Sequence, residues 1–296
     1  MRKRLHAYLA AAIFTAAATQ AHAQPQQLSW AAVDKELGRP GTTQPDGVRR
    51  YSFPRTDLHV ELDGVTLKPA LVLSTWLGFE PMGRKSVVMG DLALTQDEVA
   101  PVMSELLKGG IQVTAIHHHV LRSAPFTVYM HIHGMGDPAQ LATTVRAALA
   151  RSHTPLGVPP APAQTPVDLD TAAMDRIIGT PGKAVSGVYQ FSVPRAERIT
   201  LDGMEVPRSM NTGTAINFQP LGSGRAATTG DFVLLAKEVP PVMRSLRSAG
   251  IDVTSLHSHM LGEKPTFYFM HFWGVGDSAQ LATRLRTALN LTNVRR

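Results

Sequence analysis

The chain repeats itself, and both copies carry the same three histidines at the same spacing. Most matched positions differ by 140 in residue number. The retained histidines are His117, His119 and His131 in the first copy and His257, His259 and His271 in the second. An internal repeat is the first organising feature to look for in a sequence. It predicts that one fold serves both halves and that the two copies pack as a pseudo-symmetric pair.

The repeat divides the chain into two domains, each large enough to bury its own core. We predict a first repeat over residues 24–151, a linker over 152–167 and a second repeat over 168–296. Five prolines fall between Ser152 and Pro166. Such a composition is typical of an extended spacer without a core.

The first 23 residues have the features of a signal peptide. Arg2–Arg4 are positively charged, Leu9–Ala18 form a short apolar run, and Ala21–Ala23 have the small-x-small pattern that signal peptidase recognises. The run is too short to cross a bilayer core of roughly 30 Å. We therefore predict cleavage near Ala23, no stable membrane insertion, and a periplasmic or secreted protein.

The composition argues against several classes of protein. The chain has no cysteine, which excludes disulfides, thiolate catalysis, Cys-ligated zinc and lipid attachment through cysteine. Of the formal net charge of +6, three charges lie at positions 2–4, which leaves +3 for the rest of the chain. These charges form no Lys/Arg block, so we predict no nucleic-acid binding.

Each copy predicts an α+β fold, with an antiparallel or mixed sheet and helices packed on it. In the first copy, Leu67–Leu77 reads as a strand. The segment Thr95–Glu98 has the form of a capping box and predicts the start of a helix that ends at Lys108. The segments Ile111–Leu121 and Thr127–His133 predict a hairpin.

The hairpin brings the histidines of one copy to a common face. Alternate residues of a strand point to the same side, so His117 and His119 share a face. A turn centred on Ala124 places His117 opposite His131 and His119 opposite Tyr129. Directly opposed residues have Cβ atoms about 5 Å apart, close enough for two imidazoles to bind one ion. The second copy predicts the same arrangement.

Retention of these histidines in both copies indicates a metal site. Neutral imidazole binds Zn, Cu, Ni and Fe, and a three-histidine set leaves coordination positions open. A His-x-His pair on a strand otherwise indicates only a solvated polar face. Solvated positions should drift between copies, as His118 and His133 do in becoming Ser258 and Trp273. We predict one Zn or Cu site in each half.

Two repeated glutamates are candidates for the same sites. Glu98 and Glu238 could each be a fourth ligand, and Glu98 could be the base that activates a metal-bound water. The alternative for Glu98 is the capping box. That alternative is weaker for Glu238, because Leu235 takes the place of Thr95 and cannot cap a helix.

Three further repeated pairs invite an interpretation. Asp91 and Asp231 each follow a glycine and are candidates for the role of the glutamates, with a turn as the alternative. Met130 and Met270 have the opposite strand parity to the histidines, which predicts that they lie in the core. The pair Arg55 and Arg195 predicts structural ion pairs, with anion binding as the alternative.

The motifs resemble those of the LppY/LpqO family of bacterial envelope proteins, a domain of unknown function. The similar segments are Gly-Asp-Leu-x-Leu-x-x-x-Glu-Val at 90–99, Val-Thr-Ala-Ile-His-x-His at 113–119 and Met-His-Ile-His-Gly at 130–134. The resemblance covers both copies, the second more loosely. It implies an envelope location and a two-copy layout, and the absence of a lipidation cysteine implies a free exported form.

Taken together, the sequence predicts an exported metal-binding protein that binds or buffers Zn or Cu, with the metal ion as its partner. Two alternatives stay open. One is a metal-dependent hydrolase in which Glu98 handles the proton. The other is an envelope interaction module in which the histidines line a polar cleft for a small ligand or a partner protein.

Overall fold

The computed structural model describes residues 29–158 and 165–295. The predicted signal peptide, residues 1–23, lies outside the described residues, as does part of the predicted linker. Each half is a six-stranded antiparallel sheet with helices packed on one face, which confirms the α+β class. Among the described residues, no helix is both long and apolar enough to cross a membrane.

The first half has four helices and eight strands within the described residues. In chain order they are α1 (Trp30–Leu37), β1 (Thr42–Thr43), β2 (Arg49–Pro54), β3 (Glu61–Leu62), β4 (Val65–Thr66), α2 (Pro69–Val72), β5 (Ser74–Met82), β6 (Lys85–Thr95), α3 (Gln96–Lys108), β7 (Gln112–His117), β8 (Thr127–Gly136) and α4 (Pro138–Leu149). The main sheet has the order β1-β2-β5-β6-β8-β7, so β7 is an edge strand.

The second half repeats this plan. Its elements are α5 (Thr171–Ile178), β9 (Lys183–Val185), β10 (Val188–Pro194), β11 (Thr200–Leu201), β12 (Met204–Glu205), β13 (Gly213–Gly222), β14 (Arg225–Leu234), α6 (Val239–Ser248), β15 (Asp252–His257), β16 (Tyr268–Asp277) and α7 (Ser278–Leu289). Its sheet order, β15-β16-β14-β13-β10-β9, mirrors the first, and β15 is the edge strand that corresponds to β7.

One face of each sheet packs against the helices of its own half. Met130 and Ile132 on β8 point into the first core, and Met270 and Phe272 on β16 point into the second. This confirms the core position predicted for both methionines. The residues between them on β8 and β16 therefore point to the other face, because side chains alternate along a strand.

The other faces of the two sheets pack against each other, which confirms the predicted pseudo-symmetric pair. Met89 of the first half shares an apolar cluster with Phe267 and Phe269 of the second. A further cluster joins Leu71 to Trp273. The interface buries large side chains of both halves, so apolar burial holds the halves together.

The edge strands β7 and β15 meet at this interface through reciprocal hydrogen bonds. The hydroxyl of Thr114 donates to the carbonyl oxygen of His259 at 2.6 Å. The hydroxyl of Thr254 donates to the carbonyl oxygen of His119 at 2.6 Å. Both pairs are related by the 140-residue offset, as a two-fold contact requires.

The strand predicted over Leu67–Leu77 is wrong in its first half. The short helix α2 occupies Pro69–Val72, and the strand β5 begins only at Ser74. Pro69 stands in the first turn of α2, where its fixed φ angle suits a helix and its missing N–H is not needed.

Candidate metal centre

The hairpin that carries the first three histidines has a different register from the predicted one. His117 lies opposite Tyr129, and His131 lies opposite Ala115, with an irregularity between Val113 and Ala115. The predicted pairing of His117 with His131 is therefore wrong. The error is two residues rather than one, and a shift by an even number keeps every side chain on its face. His117 and His131 still point to the same side of the sheet.

The six histidines form one cluster at the interface, which we call the histidine centre. Their rings pair across the two halves. The ring centroids of His117 and His257 are 3.5 Å apart, those of His119 and His271 are 4.2 Å apart, and those of His131 and His259 are 3.8 Å apart. The pseudo-two-fold axis thus brings the two predicted sets of histidines together at the interface.

Three sets of three histidines have ligand atoms that all lie within 4.8 Å of one another. These sets are His117, His131 and His257; His117, His119 and His271; and His257, His259 and His271. Two of the sets draw on both halves. The predicted second-half set, His257, His259 and His271, is one of the three. The predicted first-half set, His117, His119 and His131, is not among the groups found in the described residues.

Backbone carbonyl groups orient several of the rings. The Nδ1 atom of His271 is 2.9 Å from the carbonyl oxygen of Gly230, and the Nδ1 atom of His257 is 3.2 Å from that of Ser258. The Nδ1 atom of His117 is 3.3 Å from the carbonyl oxygen of His118. A carbonyl oxygen only accepts, so Nδ1 carries the hydrogen and Nε2 keeps a free lone pair. Histidines that bind metals are commonly oriented in this way.

Three Nε2 atoms of the centre are buried and lack a hydrogen-bond partner among the described residues. They belong to His117, His131 and His259. The Nε2 atoms of His257 and His271 are 2.9 Å apart. Leaving a buried polar atom unpaired costs about 1–3 kcal/mol, so several together call for a ligand. Lone pairs that converge in this way suit a cation.

Two aspartates complete the centre. The Oδ2 atom of Asp91 is 3.2 Å from Nε2 of His119 and 4.0 Å from Nε2 of His131. The Oδ2 atom of Asp231 is 3.7 Å from Nε2 of His259. Both aspartates are buried within long strands, so the turn considered for them is wrong.

Burial sets the charge state of these groups. It lowers the pKa of His257 to about 3, and it holds the pKa of His259 and His271 well below the usual value. Burial also raises the pKa of Asp231 to about 7. Burial opposes ionisation of Asp91 too, but the nearby histidines outweigh it and lower its pKa. The rings of His257, His259 and His271 are therefore neutral, which is the form that binds metals.

The glutamate Glu98, predicted as a ligand or a base, has a structural role. Its carboxylate accepts from Arg55 at 2.7 Å, from the backbone N–H of Thr95 at 2.9 Å and from that of His153 at 2.7 Å. Burial opposes its ionisation, but these bonds lower its pKa to about 2. Glu98 belongs to none of the histidine sets found in the described residues.

The second-half glutamate Glu238 is placed in the same way. It pairs with Arg195 at 2.8 Å and accepts from the backbone N–H of Leu235 at 2.7 Å. The donor is the backbone N–H of the residue before the helix, so having Leu235 in place of Thr95 does not remove this hydrogen bond. The structure therefore contradicts the ligand roles of Glu98 and Glu238, and it confirms the arginines as partners in structural ion pairs.

The glycines before the two aspartates also shape the centre, and sequence reasoning missed their role. A Cβ on Gly230 would lie 1.9 Å from the carbonyl oxygen of Ala215, and one on Gly90 would lie 2.7 Å from that of Trp76. Only glycine allows the strands to approach this closely. The Gly-Asp pair that both copies retain, at 90–91 and 230–231, was the sequence feature that could have indicated this role.

Comparison with known proteins gives one family and several distant structural similarities. A family model described as Domain of Unknown Function (DUF1259) matches residues 31–151 and 172–291. No curated protein sequence matches the chain.

Among solved structures, a trimeric bacterial microcompartment shell protein, PduB, is 13% identical with a TM-score of 0.21, and the match covers 86% of this chain and 95% of that one. EtuB from Clostridium kluyveri is 11% identical with a TM-score of 0.20, and the match covers 84% of this chain and 88% of that one. Scores this low carry no argument about function. The family match covers both halves, and the chain therefore belongs to the family described as Domain of Unknown Function (DUF1259), whose domain it contains twice.

Proposed function

We propose that this protein is an exported, periplasmic metal-binding protein whose histidine centre binds or buffers Zn or Cu. The observation that carries the proposal is the convergence of buried Nε2 atoms without protein partners. His117, His131 and His259 each present such an atom. Each of these histidines belongs to a set of three, such as His117, His131 and His257, whose ligand atoms lie within 4.8 Å of one another. A modest adjustment would bring such a set to the spacing of about 3.3 Å that tetrahedral zinc bonds impose.

The donor set favours a borderline cation. Imidazole nitrogens with nearby carboxylates suit Zn and Cu(II), whereas Cu(I) prefers sulfur ligands. Met130 and Met270 point into the cores, away from the centre. The negative charge of Asp91 would offset part of the charge of a divalent ion.

The enclosure of the centre supports binding rather than hydrolysis. His131, His259 and His271 are only 4–6% exposed. A bulky substrate would need a path to such buried groups, whereas an ion is small. Glu98, the base of the hydrolase alternative, is engaged by Arg55 outside the histidine sets. We therefore favour storage or delivery of an ion.

Export and family relationship complete the proposal. The charged start, apolar run and small-x-small pattern of the first 23 residues support secretion. The segments at 90–99, 113–119 and 130–134 support a relationship to the LppY/LpqO envelope proteins. The exported protein should then begin at Gln24, which N-terminal sequencing of secreted material would check.

Elemental analysis tests the metal proposal. The protein is purified without an affinity tag, stripped with a chelator, loaded separately with Zn and Cu(II), and desalted. We expect about one equivalent of bound metal, and less than about a tenth of an equivalent would contradict the proposal. The control variant His59→Ala, which changes an exposed histidine, should bind as the parent does.

A further inference from the structure

We propose that the histidine centre binds a single ion per chain and can hold it at three overlapping positions. This inference rests on the metal-binding function proposed above and refines it. Two copies of a three-histidine motif would ordinarily suggest two ions. The geometry of the centre argues for one, shared between the halves.

The overlap follows from the membership of the three sets. Any two sets have one histidine in common: the sets share His117, His257 or His271, and each of these three belongs to two sets. A ring that uses one nitrogen can serve one ion at a time. Filling one set therefore takes a ligand from each of the others, and no two sets can be complete at once.

Electrostatics points the same way. The rings of His117 and His257 lie 3.5 Å apart at their centroids, so two ions in this centre would be near neighbours. Charges repel strongly at such separations in a buried environment. The nearby negative charge comes from Asp91 and Asp231, whose Oδ2 atoms lie 3.2 Å from Nε2 of His119 and 3.7 Å from Nε2 of His259. One divalent ion is the occupancy that these two carboxylates can compensate.

The remaining histidines each belong to one set. These are His119, His131 and His259. Loss of any single histidine therefore leaves at least one set complete. An ion can also move between sets by exchanging ligands in turn, without leaving the centre, which suits a protein that takes up and releases a metal.

Two double variants, each lacking one histidine per half, test the inference. His117→Ala/His257→Ala breaks all three sets. His119→Ala/His259→Ala breaks two and leaves His117, His131 and His257. Two independent sites would be damaged equally by either variant, because each variant removes one ligand from each half. The shared centre predicts different results.

The measurement is a Zn titration of the stripped full-length protein against a chromophoric chelator. We expect the parent to bind one equivalent of Zn. His117→Ala/His257→Ala should lower the affinity by more than about 100-fold, which exceeds the loss typical of changing a residue that only orients a ligand. The variant His119→Ala/His259→Ala should keep one equivalent, with affinity reduced by at most about tenfold. Two equivalents for the parent, or equal losses in both variants, would overturn the inference.

Folding and function are separated by two controls. Circular dichroism and urea unfolding check that each variant is folded, and His117→Gln/His257→Gln replaces the alanine variant if it is not. Absorption of Co(II) in place of Zn reports the ligand set directly and should differ between the parent and His119→Ala/His259→Ala. If the parent binds no metal, the proposed function itself fails; if it binds two ions, only the sharing fails.

Discussion

At the scale of single residues, Gly230 fixes how closely two strands approach beside the histidine centre. Its carbonyl oxygen lies 2.9 Å from Nδ1 of His271. A Cβ at this position would lie 1.9 Å from the carbonyl oxygen of Ala215, a backbone atom that cannot rotate away. Gly230 thus allows the close approach of β13 and β14, and its carbonyl group orients the ring of His271.

We expect Gly230→Ala to lower the free energy of unfolding by about 1–3 kcal/mol, because β13 and β14 must separate. It should also weaken metal binding by moving the carbonyl that orients His271. Urea denaturation and Zn titration measure the two effects. In the control Gly136→Ala, the added Cβ meets Leu141 at 3.9 Å, an ordinary contact. Equal stability of the two variants would contradict the role assigned to Gly230.

Glu98 offers a second residue-level prediction. We expect Glu98→Gln to lower the free energy of unfolding by on the order of 3 kcal/mol, because it removes a charge paired with buried Arg55. Metal stoichiometry should stay at the parent value, since Glu98 lies outside the histidine sets. Unfolding experiments and elemental analysis on the same sample separate the two properties. A stable variant that loses its metal would restore Glu98 as a ligand.

At this scale, the sequence predicted part of the centre. The six histidines stand out because both copies retain them. Asp91 and Asp231 carried a weaker signal, since a glycine before an aspartate is also typical of a turn. Their role became visible only with strand pairing, which places Asp91 opposite His131.

At the scale of elements, the edge strands β7 and β15 join the two halves next to the centre. Thr254 is buried and donates its hydroxyl to the carbonyl oxygen of His119. Thr114 makes the equivalent bond to His259. These bonds hold the segments just beyond each strand, where His119 and His259 lie.

We expect Thr254→Val to lower the free energy of unfolding by about 1 kcal/mol, because it keeps the shape but leaves the carbonyl of His119 without this donor. It should also weaken Zn binding by loosening the segment around His119. The control is Thr143→Val, at an exposed helix position where the change should stay within about 0.5 kcal/mol. Unfolding curves and Zn titrations that match the control would show that the reciprocal bonds have no effect.

Sequence patterns predicted most elements but not their exact pairing. The helix that begins after Thr95 and ends at Lys108 was predicted correctly. The register of the β7–β8 hairpin was wrong by two residues, because the connecting loop is centred one residue earlier than the predicted centre at Ala124, which puts His117 opposite Tyr129. A shift of two residues leaves each side chain on the same face of the sheet, so the prediction that the histidines share one face was still correct.

At the scale of the whole molecule, the buried histidines make the stability of the metal-free protein depend on pH. Burial depresses the pKa of His257 to about 3, and those of His259 and His271 lie well below the unfolded value of 6.5. As pH falls below 6.5, these histidines bind protons in the unfolded chain but stay neutral in the folded chain. Stability is therefore present above pH 6.5 and is lost below it.

We expect a loss of about 1.4 kcal/mol per pH unit for each histidine that stays neutral in the folded state. Burial raises the pKa of Asp231 from 3.8 to about 7, so between these pH values Asp231 binds a proton in the folded chain but not in the unfolded chain. Over that range its contribution to the slope cancels that of one histidine. Urea unfolding in chelator from pH 7.5 to 5 gives the slope. A flat profile over this range would contradict the burial of neutral rings.

The merging of two predicted sites into one was beyond the reach of sequence patterns. Periodicity places His117 and His257 on equivalent faces of their own sheets. Whether those faces meet depends on apolar surfaces far apart in the chain, such as Met89 with Phe269 and Leu71 with Trp273. The repeat revealed two equal halves and left their mutual orientation open.

The close approach of His117 and His257 across the pseudo-axis, with ring centroids 3.5 Å apart, has a bearing on ancestry. A relative with one copy of the domain would assemble six such rings only by pairing with a second identical molecule. Joining two copies in one polypeptide fixes that pairing at any concentration. It also frees the halves to diverge, as Tyr129 and Phe269 have done against the rings of His119 and His259.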